Sequence, residues 1–201
     1  MLLPFLNGFL LGGGLIVAIG AQNAFILRQG LKREFVFTLC LIAALSDALL
    51  MVLSIAGMGA LVIAVPGLKT IATIGGVIFL TVYGVFAVRS AWSPKVLEAA
   101  KDAQPSLAAA IATLLAFTYL NPHVYLDVLM VGSLAGQYEL PLGIAFGLEV
   151  ILASFTWFFS LGYGARWLAP TFASPRAWQM LDAIIALIMF ALALSLLLTL
   201  F

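Results

Sequence analysis

The chain has 201 residues, 65% hydrophobic and 8% charged, with a formal net charge of +1 and a mean hydropathy of +1.22. A soluble domain carries roughly 25% charged residues to cover its surface, so this composition excludes most soluble classes, and its hydrophobicity excludes disorder. The balanced charge, without a basic stripe, excludes nucleic-acid binding; one cysteine, Cys40, excludes an internal disulfide, and one histidine, His123, leaves a poor zinc set.

A membrane span needs about 20 mostly apolar residues. The first uncharged run, Leu2 to Leu27, lacks a basic start and continues too far for a cleavable signal, so it reads as a span stopped by Arg28. Phe35 to Val65 holds a single charge, Asp47, and Thr70 to Val88 holds none. Ser93 to Ser106 is a mixed-charge linker with Pro94 and Pro105. Leu107 to Ala135 contains His123 and Asp127 and is broken near Asn121-Pro122; Leu140 to Ala165 contains Glu149; Ala183 to Phe201 follows Asp182. The expected fold is an all-α integral membrane protein of six transmembrane helices, a single transporter domain over 1–201. Eight of the nine lysines and arginines fall after the first, third and fifth spans, and Lys69 alone on the other side. The positive-inside rule then puts those three loops in the cytoplasm and both termini in the periplasm.

The chain divides into halves of about 1–92 and 107–201, joined by the linker 93–106. Gly57-Met58-Gly59-Ala60 closes the second span and Gly162-Tyr163-Gly164-Ala165 the fifth, each followed by a proline, Pro66 or Pro170. Asn23 interrupts the first span and Asn121 the fourth. Three spans per half makes the second half inverted relative to the first. Inverted repeats with broken helices near the midplane are how many secondary transporters build one site and open it alternately to each side.

Acids within a span are costly, roughly 2.5–3.5 kcal/mol each, and need a partner or a task. For Asp47 and Glu149 two readings are open: a structural pair with a neighbouring cation, or a cation or proton site. At Asn121-Pro122 the proline lacks an N–H and disfavours helix before it, while Asn then Pro reads as a cap and first residue of a new helix. That segment is either a kink stabilised by Asn121 or a half-helix whose N-terminus suits a substrate carboxylate. His123 and Asp127, four residues apart, face the same way and could pair or pass a proton. In the first span, Gly20 permits a break, and adjacent Gln22 and Asn23 need backbone or substrate partners. Gly8 with Gly12, and Gly143 with Gly147, read as helix-packing pairs. Trp92, Trp157, Trp167 and Trp178 read as interfacial anchors.

The run Gly20-Ala21-Gln22-Asn23-Ala24-Phe25, the triplet Leu45-Ser46-Asp47 and the stretch Leu120-Asn121-Pro122-His123-Val124-Tyr125-Leu126-Asp127 together resemble the lysine/arginine exporter family, the LysE-type translocators, and their ArgO-like arginine exporters in particular. The resemblance covers the whole chain in length and span order. It implies a bacterial inner-membrane protein that exports basic L-amino acids, arginine and/or lysine, driven by the proton or membrane-potential gradient, and dependence on the acids at Asp47 and Asp127. Homoserine/threonine exporters usually carry a Pro-Gly-Pro type element where this chain has Ala21-Gln22-Asn23, which points away from neutral substrates.

The expected site therefore comprises Asp47, Asp127, Asn121, Asn23, Gln22, Glu149, His123 and Tyr125, with Pro122 and Gly20 as structural breaks. The expected partners are a basic amino acid, the lipid bilayer, protons as coupling ion and further copies of the chain in a homo-oligomer. No cofactor, metal or enzymatic activity is expected. An exporter of neutral amino acids or of a metal cation on the same fold is the alternative. An intramembrane serine protease using His123 with Ser46 or Ser154 finds no nucleophile turn or oxyanion hole in the sequence.

Overall fold

A computed structural model describes residues 2–17, 20–56, 66–92, 106–168 and 170–198, with side chains over 8–17, 20–56, 70, 73–92, 106–121, 124–125, 127–168, 170–172 and 174–198. Among the described residues the regular structure is helical: α1 (Leu2–Val17), α2 (Ala21–Lys32), α3 (Val36–Ile55), α4 (Pro66–Trp92), α5 (Leu107–Tyr119), α6 (Pro122–Ala135), α7 (Leu140–Leu168), a 3-10 turn at Thr171–Ala173, and α8 (Pro175–Leu198).

The boundaries have local causes. Gly20 is extended and immediately precedes α2. Arg33 and Phe35 both take left-handed backbone angles, φ 58° and 53°, in the tight turn from α2 to α3, and the Arg33 N–H closes back on Gln29 and Gly30 carbonyls. Ser106 caps α5, its Oγ accepting from the Ala109 N–H at 3.2 Å. Ser174 caps α8 in the same way at 3.3 Å, with Pro175 as first helical residue.

Four helical stretches are long and apolar enough to cross a bilayer: Val36–Ile55, Thr73–Trp92, Leu140–Leu168 and Pro175–Leu198. A fifth arises if α1 and α2, bent by 79° at their break, act as one span. The remaining segment is split into α5, 13 residues, and α6, 14 residues. Each half is about 20 Å long, short of the roughly 30 Å hydrocarbon core.

Large apolar side chains point outward at three- and four-residue spacing: Leu45, Leu49 and Val52 on α3, Ile74, Ile78 and Val82 on α4, and Ile144, Leu148 and Leu152 on α7. Such stripes suit lipid as solvent and would be an aggregation surface in water. Trp92 and Trp167 are 84% and 78% exposed at the ends of α4 and α7, as interfacial anchors are. Trp157 is instead engaged inside the protein, by Asn23.

Helix α7 is the centre of the packing. It carries α1, α2 and α3 along its length and also touches α6; α3 packs in turn against α5 and α6. Helices α4 and α8 form a separate pair, packed on each other more extensively than any other two, and meet the rest through α2, α5 and α6. Glycines set the closest approaches. A Cβ on Gly30 of α2 would run into the Gly162 carbonyl of α7, and one on Gly162 would lie 2.5 Å from Cys40 Sγ of α3. Gly8 and Gly12 likewise seat α1 against Glu149 and Val150. The Gly162 segment is thus a three-helix contact; its expected counterpart at Gly57–Ala60 lies outside the described residues.

Because the Gly30 obstacle is backbone, Gly30→Val is expected to lower stability by about 1–3 kcal/mol. Gly14→Ala, which faces open space, should leave it level or raise it by roughly 0.5–1 kcal/mol. Thermal unfolding of the two variants in detergent checks this.

Candidate substrate site

Asp47 lies near the middle of α3 and is partly buried. Ser154 of α7 donates its hydroxyl proton to Asp47 Oδ2 at 2.7 Å. Asp127 of α6 is near enough to interact electrostatically with the same carboxylate. Two acids, from α3 and α6, thus lie within electrostatic range of each other, and the Ser154 bond holds Asp47 in place. Alongside them, the Ser54 hydroxyl of α3 donates to the Val128 carbonyl of α6, and Gly132 lets α6 close on Ser54. In the sequence Ser154 stood out only as a nucleophile candidate; it becomes Asp47's partner through the packing of α3 on α7.

The break between α5 and α6 falls where Asn-Pro predicts it. Helix α5 ends at Tyr119, Leu120 turns, and α6 starts at Pro122. Asn121 precedes the first helical residue, its carbonyl accepting from the Val124 N–H at 3.2 Å. Tyr125 reaches back one turn: its hydroxyl donates to the Tyr119 carbonyl at 2.8 Å. That carbonyl ends a helix and has lost its ordinary partner, so Tyr125 satisfies an acceptor that the break exposes. Gly76 of α4 lies over the same turn, with the Leu120 carbonyl where a Cβ would be. Asn121 lines a narrow cleft with Ala21, Gly76, Phe79, Phe117 and Leu192. The His123 side chain lies outside the described residues.

At the first break, Asn23 is 9% exposed and bridges three elements. Its Nδ2 donates to the Ile16 carbonyl of α1 at 2.7 Å, and its Oδ1 accepts from the Trp157 indole N–H of α7 at 3.2 Å. Asn23 thereby ties the ragged end of α1 to α2 and α7. The neighbouring Gln22 keeps its buried amide nitrogen without a hydrogen bond among the described residues. Glu149 is engaged elsewhere: at 3% exposure it accepts the Gly8 N–H of α1 at 3.1 Å through Oε2. It lies ten residues into a helix of 29, not near an end, and it holds α1 to α7.

One polar cluster escaped the reading by spans. Arg28, read as the end of the first run, and Asp182, read as a flank of the last, form an ion pair at 3.3 Å with side chains 19% and 4% exposed. An opposite charge immediately flanking each of two apolar runs was the available signal. Among the described residues no three His, Cys, Asp or Glu side chains come together as a metal site.

The LysE type translocator family matches residues 14–200, nearly the whole chain. The chain belongs to the LysE type translocator family. It is a multi-pass membrane transport protein rather than an enzyme. A Mycobacterium tuberculosis (strain ATCC 25618 / H37Rv) protein carrying the provisional name of amino-acid transporter is 41% identical to this translocator over 184 residues, 91% of either chain. The arginine exporter protein ArgO of Salmonella typhimurium is 39% identical over 198 residues, 98% of this chain and 94% of its own; the same figures hold for ArgO of Salmonella enteritidis. No solved structure matches the translocator.

Loss of the Tyr125 hydroxyl leaves the Tyr119 carbonyl bare within the protein. Tyr125→Phe is therefore expected to lower stability by about 1–2 kcal/mol and to speed amide exchange around residues 119–124. Hydrogen-exchange mass spectrometry of the purified translocator reads both effects.

Proposed function

We propose that this chain exports basic L-amino acids, arginine and/or lysine, from the cytoplasm as a secondary active transporter. The observation that carries the reading is the meeting of Asp47, fixed by Ser154, with Asp127 inside a translocator-family chain. Two carboxylates of like charge in an apolar setting call for a cation between them. A basic amino acid brings two, its α-ammonium and its side-chain tip. The helix start at Asn121 carries the positive end of a helix dipole, suited to the substrate carboxylate. His123 and Gln22 complete the proposed lining. Asn23, Tyr125 and Glu149 support it by holding the broken helices in place, and Gly20 and Pro122 supply the breaks.

Coupling follows from competition. Protons and the substrate cation contend for the Asp47–Asp127 pair, so a proton gradient or membrane potential drives release on the far side. The arginine exporters among the relatives support arginine as substrate.

The proposed topology is six segments in two inverted halves, 1–92 and 107–201, in one domain, with α1–α2 and α5–α6 as the broken members. The packing supports it. Exchanging the first, second and third segments for the fourth, fifth and sixth maps the observed helix contacts onto themselves: α1 and α2 on α7 correspond to α5 and α6 on α3, and α2 on α8 corresponds to α5 and α6 on α4. Lys32, Arg89 and Arg166 close α2, α4 and α7, and Arg176 opens α8. Those ends are the cytoplasmic ones of an inner-membrane protein with both termini in the periplasm.

Labelled-arginine flux into proteoliposomes, with and without an imposed proton gradient, tests the reading. Wild-type flux should be blocked by lysine and not by threonine or a divalent metal ion. Asp47→Asn should reduce it at least about 100-fold, and Ser154→Ala, which only loosens the acid, about tenfold. Asp47→Asn with unchanged rate and pH dependence would sink the mechanism; suppression by threonine or metal would replace the substrate class.

A further inference from the structure

A second polar group lies between α2, α4 and α8, apart from the acid pair. Arg28 Nη2 is 3.3 Å from Asp182 Oδ1 and 3.5 Å from Ser90 Oγ. Ser90 donates to Asp182 Oδ2 at 2.6 Å, and the Tyr83 side chain lies close to Arg28. Asp182 is only 3% exposed, yet the group is incompletely satisfied. Arg28 Nε and Asp182 Oδ1 are buried and make no hydrogen bond among the described residues. A single Nη contact replaces the two parallel bonds that a guanidinium and a carboxylate form when fully docked. A buried pair serving structure alone needs its remaining donors and acceptors filled.

Its position gives it a second use. Helices α4 and α8 form one body, and α2 belongs to the bundle around α7. The ion pair crosses the seam between the two. The cleft that reaches Asn121 lies in the same seam, lined by Ala21 of α2, Phe79 of α4, Phe117 of α5 and Leu192 of α8. Between pair and cleft stands an aromatic stack: Phe117 meets both Phe79 and Tyr83 edge-on with centroids 4.9 Å apart. Along α8, Asp182 precedes Leu192 by about 15 Å. The pair therefore closes the end of the seam marked by Lys32, Arg89 and Arg176, and the cleft lies deeper in.

We propose that Asp182, with Ser90, is the entry site for the cationic end of the substrate, a guanidinium or primary ammonium. Arg28 is a tethered guanidinium that keeps the entry shut until the substrate's own cation displaces it. Exchange of one cation for another leaves the buried carboxylate paired throughout, so opening exposes no bare charge. Tyr83, Phe117 and Phe79 then offer π-faces to the cation on its way to Asn121. The assignment rests on the export reading for its ligand.

The test is arginine transport kinetics from the Lys32–Arg89–Arg176 face of oriented proteoliposomes. Asp182→Asn should raise KM at least about tenfold, and Arg28→Ala, which removes the tethered competitor, should lower it about threefold, with kcat moving less than KM. A purely structural pair moves both variants the same way, through the yield of folded protein, and that result would overturn the gate. As a second measurement, Arg28→Cys with Asp182→Cys on a Cys40→Ser background is joined by a short reducible cross-linker. Cross-linking should stop the lowered flux that this double variant retains and reduction should return it to that unlinked level; unlinked-level flux with the link intact overturns the gate. Wild-type protein without arginine flux overturns the export reading and the ligand assigned here. Wild-type flux with KM unmoved in both variants overturns the gate alone.

Discussion

A polar atom placed among hydrocarbon has to find its partner within the protein, because the surroundings offer none. In this chain that constraint is met mostly along one helix, α7. Glu149 takes the Gly8 amide of α1, Ser154 holds Asp47 of α3, Trp157 holds Asn23 of α2, and the Phe158 carbonyl accepts the Cys40 thiol proton at 3.1 Å. A turn further on, Gly162 admits α2 at Gly30. The attachments follow one another from Glu149 to Gly162, so α7 reads as a spine to which α1, α2 and α3 are fixed by one polar or close-packed contact at a time. Dispersion packing supplies adhesion in lipid, and these contacts supply register.

The same constraint explains why the breaks are usable. A helix interrupted in hydrocarbon bares carbonyls at one end and N–H groups at the other. Here the carbonyl side is taken up by side chains from nearby turns: Tyr125 for Tyr119, Asn23 for Ile16. Asn121, at the start of the helix that follows the second break, lines the cleft. The chain thus satisfies the carbonyls that each break would otherwise bare.

Two bodies with an apolar seam between them are a mechanical arrangement as well as a chemical one. The α4–α8 pair meets the α7-centred bundle through the Arg28–Asp182–Ser90 group at one end and the Asn121 cleft deeper in. In the proposed transport cycle the two bodies slide or rock along this seam. A translocator needs such a seam, with its polar groups placed so that each can be re-paired as the bodies move.

Much was legible without coordinates. Composition alone pointed to lipid as the solvent, and the hydrophobic runs contain the four helices that are long and apolar enough to cross it. Gly20 and Asn121-Pro122 marked the breaks because local backbone chemistry acts on the nearest few residues. Asp47 and Asp127 stood out because an acid in a span is conspicuous against any apolar background. Partners were another matter. Ser154 lies 107 residues from Asp47 and Gly8 lies 141 from Glu149, distances over which no periodicity carries information. Arg28 and Asp182 looked like the charged edges of separate spans until the packing of α2 beside α4 and α8 buried them together. The sequence by itself determined which groups would need a partner. Only the tertiary structure decided which partner each one has, because that depends on how helices far apart in the chain lie against one another.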